Sequence, residues 1–281
     1  MIITQTPLRV SFGGGGTDLA AYYEAREGYV VNAAIDKAVF VVVTERYDDM
    51  IYVNYSRKEM VEHVDQIQHE LVREAMRIAG VKNGVEVTML SDIPSQGSGL
   101  GSSSSFTVGL LNAFHQYAHQ QVGPAQLAEE ACEIEIVRCG KPIGKQDQYI
   151  AAFGGVHGFR FKKDGSVEAE RLTPNESGLR ELSARLLLFF SDITRKADSI
   201  LSEQRQQTGA NLEFLDGIKD LASEARQAIV NGEFDRIGQL LDKNWTLKKR
   251  LTDKISNSRL DEMHHLAMES GASGAKICGA G

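Results

Sequence analysis

The stretch Pro94-Ser-Gln-Gly-Ser-Gly-Leu-Gly-Ser-Ser-Ser-Ser105 is the part of the sequence that most constrains fold and function. Its three glycines allow a backbone with positive φ that comes close to a ligand. An apolar helical pattern begins directly after it, with Phe106, Leu110 and Phe114 four residues apart. The free N–H groups and the positive dipole end of that helix predict an anion site. The alternative is a flexible Gly/Ser linker, which has no reason to lie between a strand and an apolar helix.

Two common patterns of phosphate-binding loops are absent from this sequence. No lysine follows the glycines, so the loop is not of the G-x-x-x-x-G-K-[ST] type. The glycine spacing also differs from the dinucleotide-binding pattern G-x-G-x-x-G, and no acidic residue follows at the ribose distance. These observations exclude two common nucleotide-binding loops.

The pattern P-x-x-G-x-G-L-G-S-S-S-S resembles the nucleotide loop of the GHMP kinases, the family of galactokinase, homoserine kinase, mevalonate kinase and phosphomevalonate kinase. The resemblance implies that this loop binds the phosphates of ATP. The residues it assigns to that role are Pro94, Gly97, Ser98, Gly99, Leu100, Gly101, Ser102, Ser103 and Ser104.

A second glycine-rich segment lies near the N-terminus, Pro7-Leu-Arg-Val-Ser-Phe-Gly-Gly-Gly-Gly-Thr-Asp18. Its glycines let the main chain pass beside a ligand, and Arg9 and Asp18 can hydrogen-bond hydroxyls or phosphate oxygens. The alternative is a glycine-rich hairpin with a surface aspartate. In GHMP sugar kinases the similar segment lines the sugar site. The resemblance implies substrate-binding roles for Arg9, Gly14, Gly15, Gly16, Thr17 and Asp18, with Arg9 also catalytic.

Glu135 lies on the small-residue face of a helix that Pro124 opens. A carboxylate on such a face is costly unless it is paired or bound to a metal. The alternative is a salt bridge to a buried arginine or lysine. Resemblance to the GHMP kinases implies a magnesium ligand here, with Ser102 as the second protein ligand. Few protein oxygens suit Mg²⁺ that is bound mostly through ATP phosphates and water.

Asp147, within Gly140-Lys-Pro-Ile-Gly-Lys-Gln-Asp-Gln-Tyr149, is the candidate for the chemistry. A carboxylate can accept the proton of an attacking hydroxyl, while phosphoryl transfer itself needs mainly positioning and charge neutralisation. Lys141 and Lys145 are nearby candidate cations, and Lys145 is also a candidate for substrate binding. A neighbouring cation would keep Asp147 ionised. The alternative is a turn residue in a connection rich in glycine and proline.

Composition describes an ordinary globular enzyme of 281 residues, with 42% hydrophobic and 25% charged residues. The formal net charge of −7 argues against nucleic acid as a partner. No apolar run reaches membrane-spanning length, and the N-terminus lacks the features of a signal peptide. Three cysteines without metal spacing fit reduced thiols. We therefore expect a cytoplasmic monomer or homodimer with no membrane partner.

Hydrophobic periodicity predicts an α+β protein. We predict strands at 38–45, 51–55, 85–90, 155–161 and 184–190, and helices at 64–79, 102–119, 125–138, 196–207, 212–231, 234–251 and 258–269. A turn-rich segment at 173–178 suggests domains at 1–173 and 178–281. The resemblance implies an N-terminal domain like the second domain of ribosomal protein S5 and a ferredoxin-like C-terminal domain. Residues 270–281 look like the start of the family's third motif, so we expect that domain to be cut short.

Within the family, residues 12–18, 140–149, 192–197 and 245–251 are most similar to the D-glycero-D-manno-heptose 7-phosphate kinases. The resemblance implies ATP-dependent phosphorylation of the anomeric hydroxyl of heptose 7-phosphate to the 1,7-bisphosphate, for nucleotide-activated heptose. Alternatives are another sugar-1-kinase, such as a fucokinase-like enzyme, or a catalytically silent nucleotide- or sugar-binding homologue.

A substrate that already bears a phosphate needs cations at the far end of the site. Arg195 and Lys196 are candidates, with Lys248 and Lys249 as further possibilities. The alternative for all four is a solvated basic helix start or helix face. ATP, Mg²⁺ and a sugar phosphate are thus the ligands that the sequence leads us to expect.

Overall fold

One mixed β-sheet of seven strands is formed by the described residues of the N-terminal part. The structure is a computed structural model that describes residues 1–94, 97–172, 176–193 and 197–279, apart from the side chains of 197–199. The strands are β1 (Ile2–Gly13), β2 (Gly28–Glu45), β3 (Ile51–Asn54), β4 (Lys58–Val61), β5 (Val85–Ser91), β6 (Val156–Phe161) and β7 (Val167–Arg171). Only the pairing of β3 with β5 is parallel.

Strand β2 has 18 residues and pairs with three other strands, β1, β5 and β6. The order is β4-β3-β5-β2-β6-β7, and β1 pairs with the other edge of β2. Residues 39–45 of β2 pair with β5, whereas residues 28–33 pair with β6. The β1–β2 register shifts between Pro7 and Arg9. Arg9 therefore lies at an irregularity in the middle of strand β1, shortly before the glycine-rich segment.

Helices cover both faces of this sheet. The first group is α1 (Ala20–Tyr23), a 3₁₀ turn (Val64–Gln66), α2 (Glu70–Ala79), α3 (Ser102–Tyr117), α4 (Pro124–Cys132), a π-helical turn (Glu133–Arg138) and α5 (Gln146–Phe153). The second is α6 (Glu176–Ala184), α7 (Ala197–Gln207), α8 (Leu212–Asn231), α9 (Asp235–Lys248) and α10 (Ser258–Glu269). In the described part of the chain, no helix is long and apolar enough to cross a membrane.

Alternation along β2 separates the two faces. Val30 packs with residues of α4 and α5, including Ala128 and Ile150, whereas Val31 packs with α8 and α9. Successive strand residues point to opposite faces of a sheet, so these two groups of helices lie on opposite sides. The largest core fills the space between the sheet and helices α2 and α3. The second group of helices therefore covers one face of the sheet, at the end where β1 continues into the glycine-rich segment.

The observed elements confirm the α+β class and many of the predicted segments. Helices α8 and α10 have the predicted bounds, while the predicted helix 64–79 is divided and 125–138 ends in a π-helical turn. The predicted strand 184–190 is wrong. Ala184 ends α6, and residues 186–190 have no strand partner among the described residues, which from Glu176 onward form helices and connections. The turn at 173–175 lies outside the described residues, and the domain division stays a prediction.

A testable prediction concerns Gly14. Its φ is +91°, and a Cβ added to it would overlap the backbone of β2 at Tyr29. Gly14→Ala should reduce the free energy of unfolding by about 3 kcal/mol or more, because the backbone must move in addition to the left-handed strain. Gly80→Ala is the matched control: its φ is +73° and nothing lies within 4 Å of the added carbon. That change should cost about 1 kcal/mol. Equal losses in urea unfolding would contradict the close approach at Gly14.

Candidate active site

The glycine–serine loop leads directly into helix α3, as the sequence predicts. Gly97, Gly99 and Gly101 all have positive φ, and the helix begins at Ser102. The carbonyl oxygen of Gly101 accepts the first hydrogen bond of the helix, from the N–H of Ser105 at 3.0 Å. The preceding N–H groups, those of Ser102, Ser103 and Ser104, are at the positive end of a 16-residue helix. Pro94 precedes the loop, next to two residues outside the described part of the chain.

Arg9 connects the loop to the candidate base. Its Nε and Nη2 atoms donate to the two carboxylate oxygens of Asp147 at 2.7 and 2.6 Å. Its Nη1 atom donates to the carbonyl oxygen of Gly99 at 2.6 Å, and its backbone N–H donates to Leu100. Burial alone would lower the pKa of Arg9, but the adjacent carboxylate of Asp147 outweighs it and the pKa is raised. One side chain therefore fixes the distance between the loop and the carboxylate.

Asp147 lies in the first turn of helix α5, not in an irregular turn. Its side chain is 23% exposed, so one side of the carboxylate stays accessible. A Cβ built on Gly101 would lie 3.3 Å from its Oδ2 atom, which places Asp147 directly beside the start of α3. The carboxylate of Asp147 and the N-terminal end of α3 are therefore neighbours.

The N-terminal glycine segment is held by Asp18. Its buried carboxylate accepts the N–H of Gly16 at 2.9 Å and the N–H of Gln146 at 3.2 Å. Burial raises the pKa of Asp18, in part offset by these two hydrogen bonds. Thr17 donates its hydroxyl to the carbonyl of Gly14 at 2.8 Å. Asp18 thus ties the glycine segment to the start of α5, and a direct contact with substrate stays a prediction.

Glu135 is completely buried within the π-helical turn. It accepts hydrogen bonds from Ser103 Oγ at 2.6 Å and Gln148 Nε2 at 2.8 Å. The ammonium of Lys141 lies 3.5 Å away and donates to Ser103 Oγ at 3.0 Å. The predicted partner Ser102 instead has its hydroxyl 3.0 Å from that of Ser98. Among the described residues, no group of three or more His, Cys, Asp and Glu side chains is placed to hold a metal.

Two of the predicted cations point away from this site. The ammonium of Lys145 donates to the carbonyl of Gly165 at 2.7 Å, in the hairpin between β6 and β7. Lys249 is the residue directly after α9, and its ammonium lies 3.5 Å from Asp261. Arg195 and Lys196 lie outside the described residues.

Lys248 and Lys276 are cations that the structure brings to the site. Lys248 is only 7% exposed and donates to the carbonyl of Gly279. Burial is the main cause that lowers the pKa of Lys248 to about 7 and that of Lys276 to about 8. From the sequence, Lys248 is a secondary candidate, and Lys276 was not predicted although it lies in the C-terminal glycine-rich segment.

That C-terminal segment packs backbone to backbone against the nucleotide loop. A Cβ built on Gly99 would lie 2.6 Å from the carbonyl of Cys278, and one built on Gly279 would lie 2.7 Å from the Cα of Gly99. Any side chain at either position would force the two segments apart. Cys132, Cys139 and Cys278 are all free thiols.

Comparison with known proteins agrees with this arrangement. Residues 61–155 match the model for the GHMP kinases N-terminal domain, and residues 225–281 match that for the GHMP kinases C-terminal domain. The chain is 33% identical to D-glycero-alpha-D-manno-heptose 7-phosphate kinase of Campylobacter jejuni, over 100% of this chain and 86% of that protein. It is 24% identical to a bifunctional fucokinase/GDP-fucose pyrophosphorylase of Arabidopsis thaliana, over 99% of this chain and 28% of that protein.

A solved structure is also similar, that of a D-glycero-D-manno-heptose 1-phosphate kinase from Bacteroides thetaiotaomicron. Its TM-score is 0.83 at 25% identity, over 100% of this chain and 86% of that one. The chain therefore belongs to the GHMP kinase family and has its two-domain α+β fold. It is an ATP-dependent small-molecule kinase, a phosphotransferase with an alcohol group as acceptor.

A prediction concerns the Arg9–Asp147 pair. Arg9→Met leaves a carboxylate beside the loop without its partner, so the free energy of unfolding should fall by about 3 kcal/mol. Arg46→Met is the control, because Arg46 pairs with Asp48 and Glu86 at the surface. That exposed pairing should contribute less than about 1 kcal/mol. Urea unfolding of both variants measures the difference, and equal small losses would show that Arg9 does not fix the loop.

Proposed function

We propose that the protein transfers the γ-phosphoryl group of ATP to the anomeric hydroxyl of D-glycero-D-manno-heptose 7-phosphate, which gives the 1,7-bisphosphate for nucleotide-activated heptose. The observation that carries this proposal is the bidentate clamp of Arg9 on Asp147, with its third contact to the loop carbonyl of Gly99. The clamp holds a general base beside a phosphate-binding helix end, which is the arrangement that phosphorylation of a hydroxyl requires.

In the proposed reaction, Asp147 accepts the proton of the sugar hydroxyl as the hydroxyl oxygen bonds to the γ-phosphorus, while the bond from that phosphorus to the bridging oxygen breaks and ADP leaves. Each carboxylate oxygen accepts one hydrogen bond from Arg9 and keeps another lone pair for the incoming proton. Arg9 also neutralises charge next to the transferred group. The N–H groups of Ser102, Ser103 and Ser104 stabilise the phosphate oxygens at the start of α3. The protein therefore contributes positioning and electrostatics more than covalent chemistry.

We propose Glu135 and Ser102 as the protein ligands of Mg²⁺, with Ser103 as a neighbouring hydroxyl. The donor chemistry fits this ion, since a buried carboxylate and serine hydroxyls beside a phosphate loop offer only hard oxygen atoms. Gln148 and Lys141 hold the carboxylate in place. When bound, magnesium neutralises the phosphate charge that develops during transfer.

The choice of acceptor is supported by the names of the similar proteins, since two of them are called heptose phosphate kinases. Galactokinase-type enzymes carry Glu-His where this chain has Gly15-Gly16, which disfavours galactose. A fucokinase-like activity is the second candidate, favoured by the similarity to the plant fucokinase. A catalytically silent homologue is disfavoured because Arg9, Asp147 and Glu135 are held in one cluster.

We further propose that the enzyme divides into domains at 1–173 and 178–281 and acts in the cytoplasm, as a monomer or homodimer. Three free thiols support a reducing compartment.

The acceptor is tested by turnover with ATP and Mg²⁺. Purified protein is offered heptose 7-phosphate, the unphosphorylated heptose, fucose and galactose at equal concentrations, and ADP release is followed. The proposal expects the largest kcat/KM for heptose 7-phosphate, with the new phosphate on the anomeric carbon in a phosphorus NMR spectrum. Faster turnover of fucose would favour the second candidate.

The base assignment predicts that Asp147→Asn loses phosphoryl transfer. Because the amide cannot take up a proton, kcat should fall by a factor of about 10² to 10⁴. Calorimetry should show nearly unchanged affinity for a non-hydrolysable ATP analogue, since the nucleotide loop is intact. A variant with near-wild-type kcat would require another base.

The metal assignment predicts that Glu135→Gln raises the magnesium concentration needed for half-maximal rate, by about tenfold or more, as expected when one charged ligand is lost. Glu133→Gln is the matched control, because Glu133 lies in the same π-helical turn and pairs with Arg138 at 3.3 Å. Its magnesium titration should resemble that of the wild type. Identical magnesium titrations for both variants would show that Glu135 has a structural role and does not bind the metal.

A further inference from the structure

A small polar cavity lies beside Arg9, between the N-terminal glycine segment, helix α9 and the C-terminal segment. Its lining residues are Arg9, Ser11, Gly15, Gln146, Asn244, Lys248, Lys276 and Gly279. Gln146 is the neighbour of Asp147 at the start of α5, so the cavity adjoins the candidate base. Asn244 and Lys248 are four residues apart and therefore share one face of α9.

The cavity concentrates positive charge. Within the described part of the chain, neither Lys248 nor Lys276 has a carboxylate within 4.0 Å of its ammonium. The ammonium of Lys248 donates a hydrogen bond to a backbone carbonyl, that of Gly279. Burial lowers the pKa of Lys248 most, and the positive charges of Lys276 and Arg9 lower it further, so these cations repel one another. Such a group of buried cations is costly unless an anion joins it.

The same cavity contains hydrogen-bonding atoms without partners. The Oγ atom of Ser11, the Oε1 atom of Gln146 and the Oδ1 atom of Asn244 are buried and lack a hydrogen bond to any described residue. Amide oxygens are acceptors only, so they match the hydroxyl donors of a sugar and not the oxygens of a phosphate. Buried polar atoms normally have partners, and this cavity of about 20 Å³ has room for one water molecule or one polar group of a bound ligand.

We infer that Lys248 and Lys276 bind the phosphate group that the acceptor sugar already carries, while Asn244 and Gln146 accept hydrogen bonds from its hydroxyls. The inference rests on the proposed function, which makes the acceptor a sugar phosphate. It adds the residues that distinguish a phosphorylated from an unphosphorylated acceptor. The acceptor then lies between Asp147 at its reacting hydroxyl and the two lysines at its phosphate. Specificity depends on α9 and the C-terminal segment together, because each supplies one of the lysines.

The test uses Lys248→Met and Lys276→Met, which keep the length of the side chain and remove its charge. Loss of a hydrogen bond to a charged group is worth about 1.5 kcal/mol or more, so each change should raise KM for heptose 7-phosphate by about tenfold or more. KM for ATP and kcat/KM for the unphosphorylated heptose should change by less than about twofold, a shift too small for a lost charged contact. Lys243→Met, at an exposed position of the same helix, is the control that should leave all three values unchanged.

Two outcomes overturn the inference. Either KM for ATP rises in place of KM for the sugar phosphate, which would assign the lysines to the nucleotide, or neither value changes. Failure of the proposed function is distinguishable, because it appears as faster wild-type turnover of an unphosphorylated sugar. Circular dichroism of each variant confirms that the fold is retained.

Discussion

The three contacts of Arg9 are the constraint on which the site depends. This one guanidinium binds both oxygens of Asp147 and the carbonyl of Gly99, and it does so from an irregularity in strand β1. A lysine could not replace it, since an ammonium lacks the planar fork that meets a carboxylate with two parallel hydrogen bonds. Strand β1, the nucleotide loop and helix α5 thereby become one rigid unit. Pre-organisation of this kind reduces the reorganisation that the transition state would otherwise require.

Much of the site could be predicted because its signals are local in sequence. The glycine–serine loop followed by an apolar helix predicts an anion site within twenty residues, and the structure has that loop entering α3. The burial of Glu135 followed from helical periodicity in the same way, and the residue is fully buried. In both cases the residues that matter are neighbours along one element, so no long-range contact had to be known.

Other features depend on contacts between distant segments, and the sequence did not reveal them. Periodicity cannot show that Lys276 lies beside Lys248, because one is in a glycine-rich connection and the other on a helix. The hydrogen bond from Ser103 to Glu135 was also not predicted: successive serines differ in direction by about 100° on a helix, and Ser103 is the one that faces Glu135. The assignment of Ser102 as a magnesium ligand stays a prediction. Residues 184–190 are apolar enough for a strand, but a strand forms only where another strand offers its edge. The family resemblance, by contrast, was confirmed over the whole chain.

The run Leu187–Leu188–Phe189–Phe190 bears on the tendency of the protein to aggregate. All four side chains are largely exposed, with Phe189 at 69%, and the run contains no charge, proline or glycine to interrupt it. An unpaired apolar backbone of this composition is a template for cross-β pairing between molecules. These four exposed residues are therefore a candidate site for association between molecules. A single lysine within the run would act as a gatekeeper against that association.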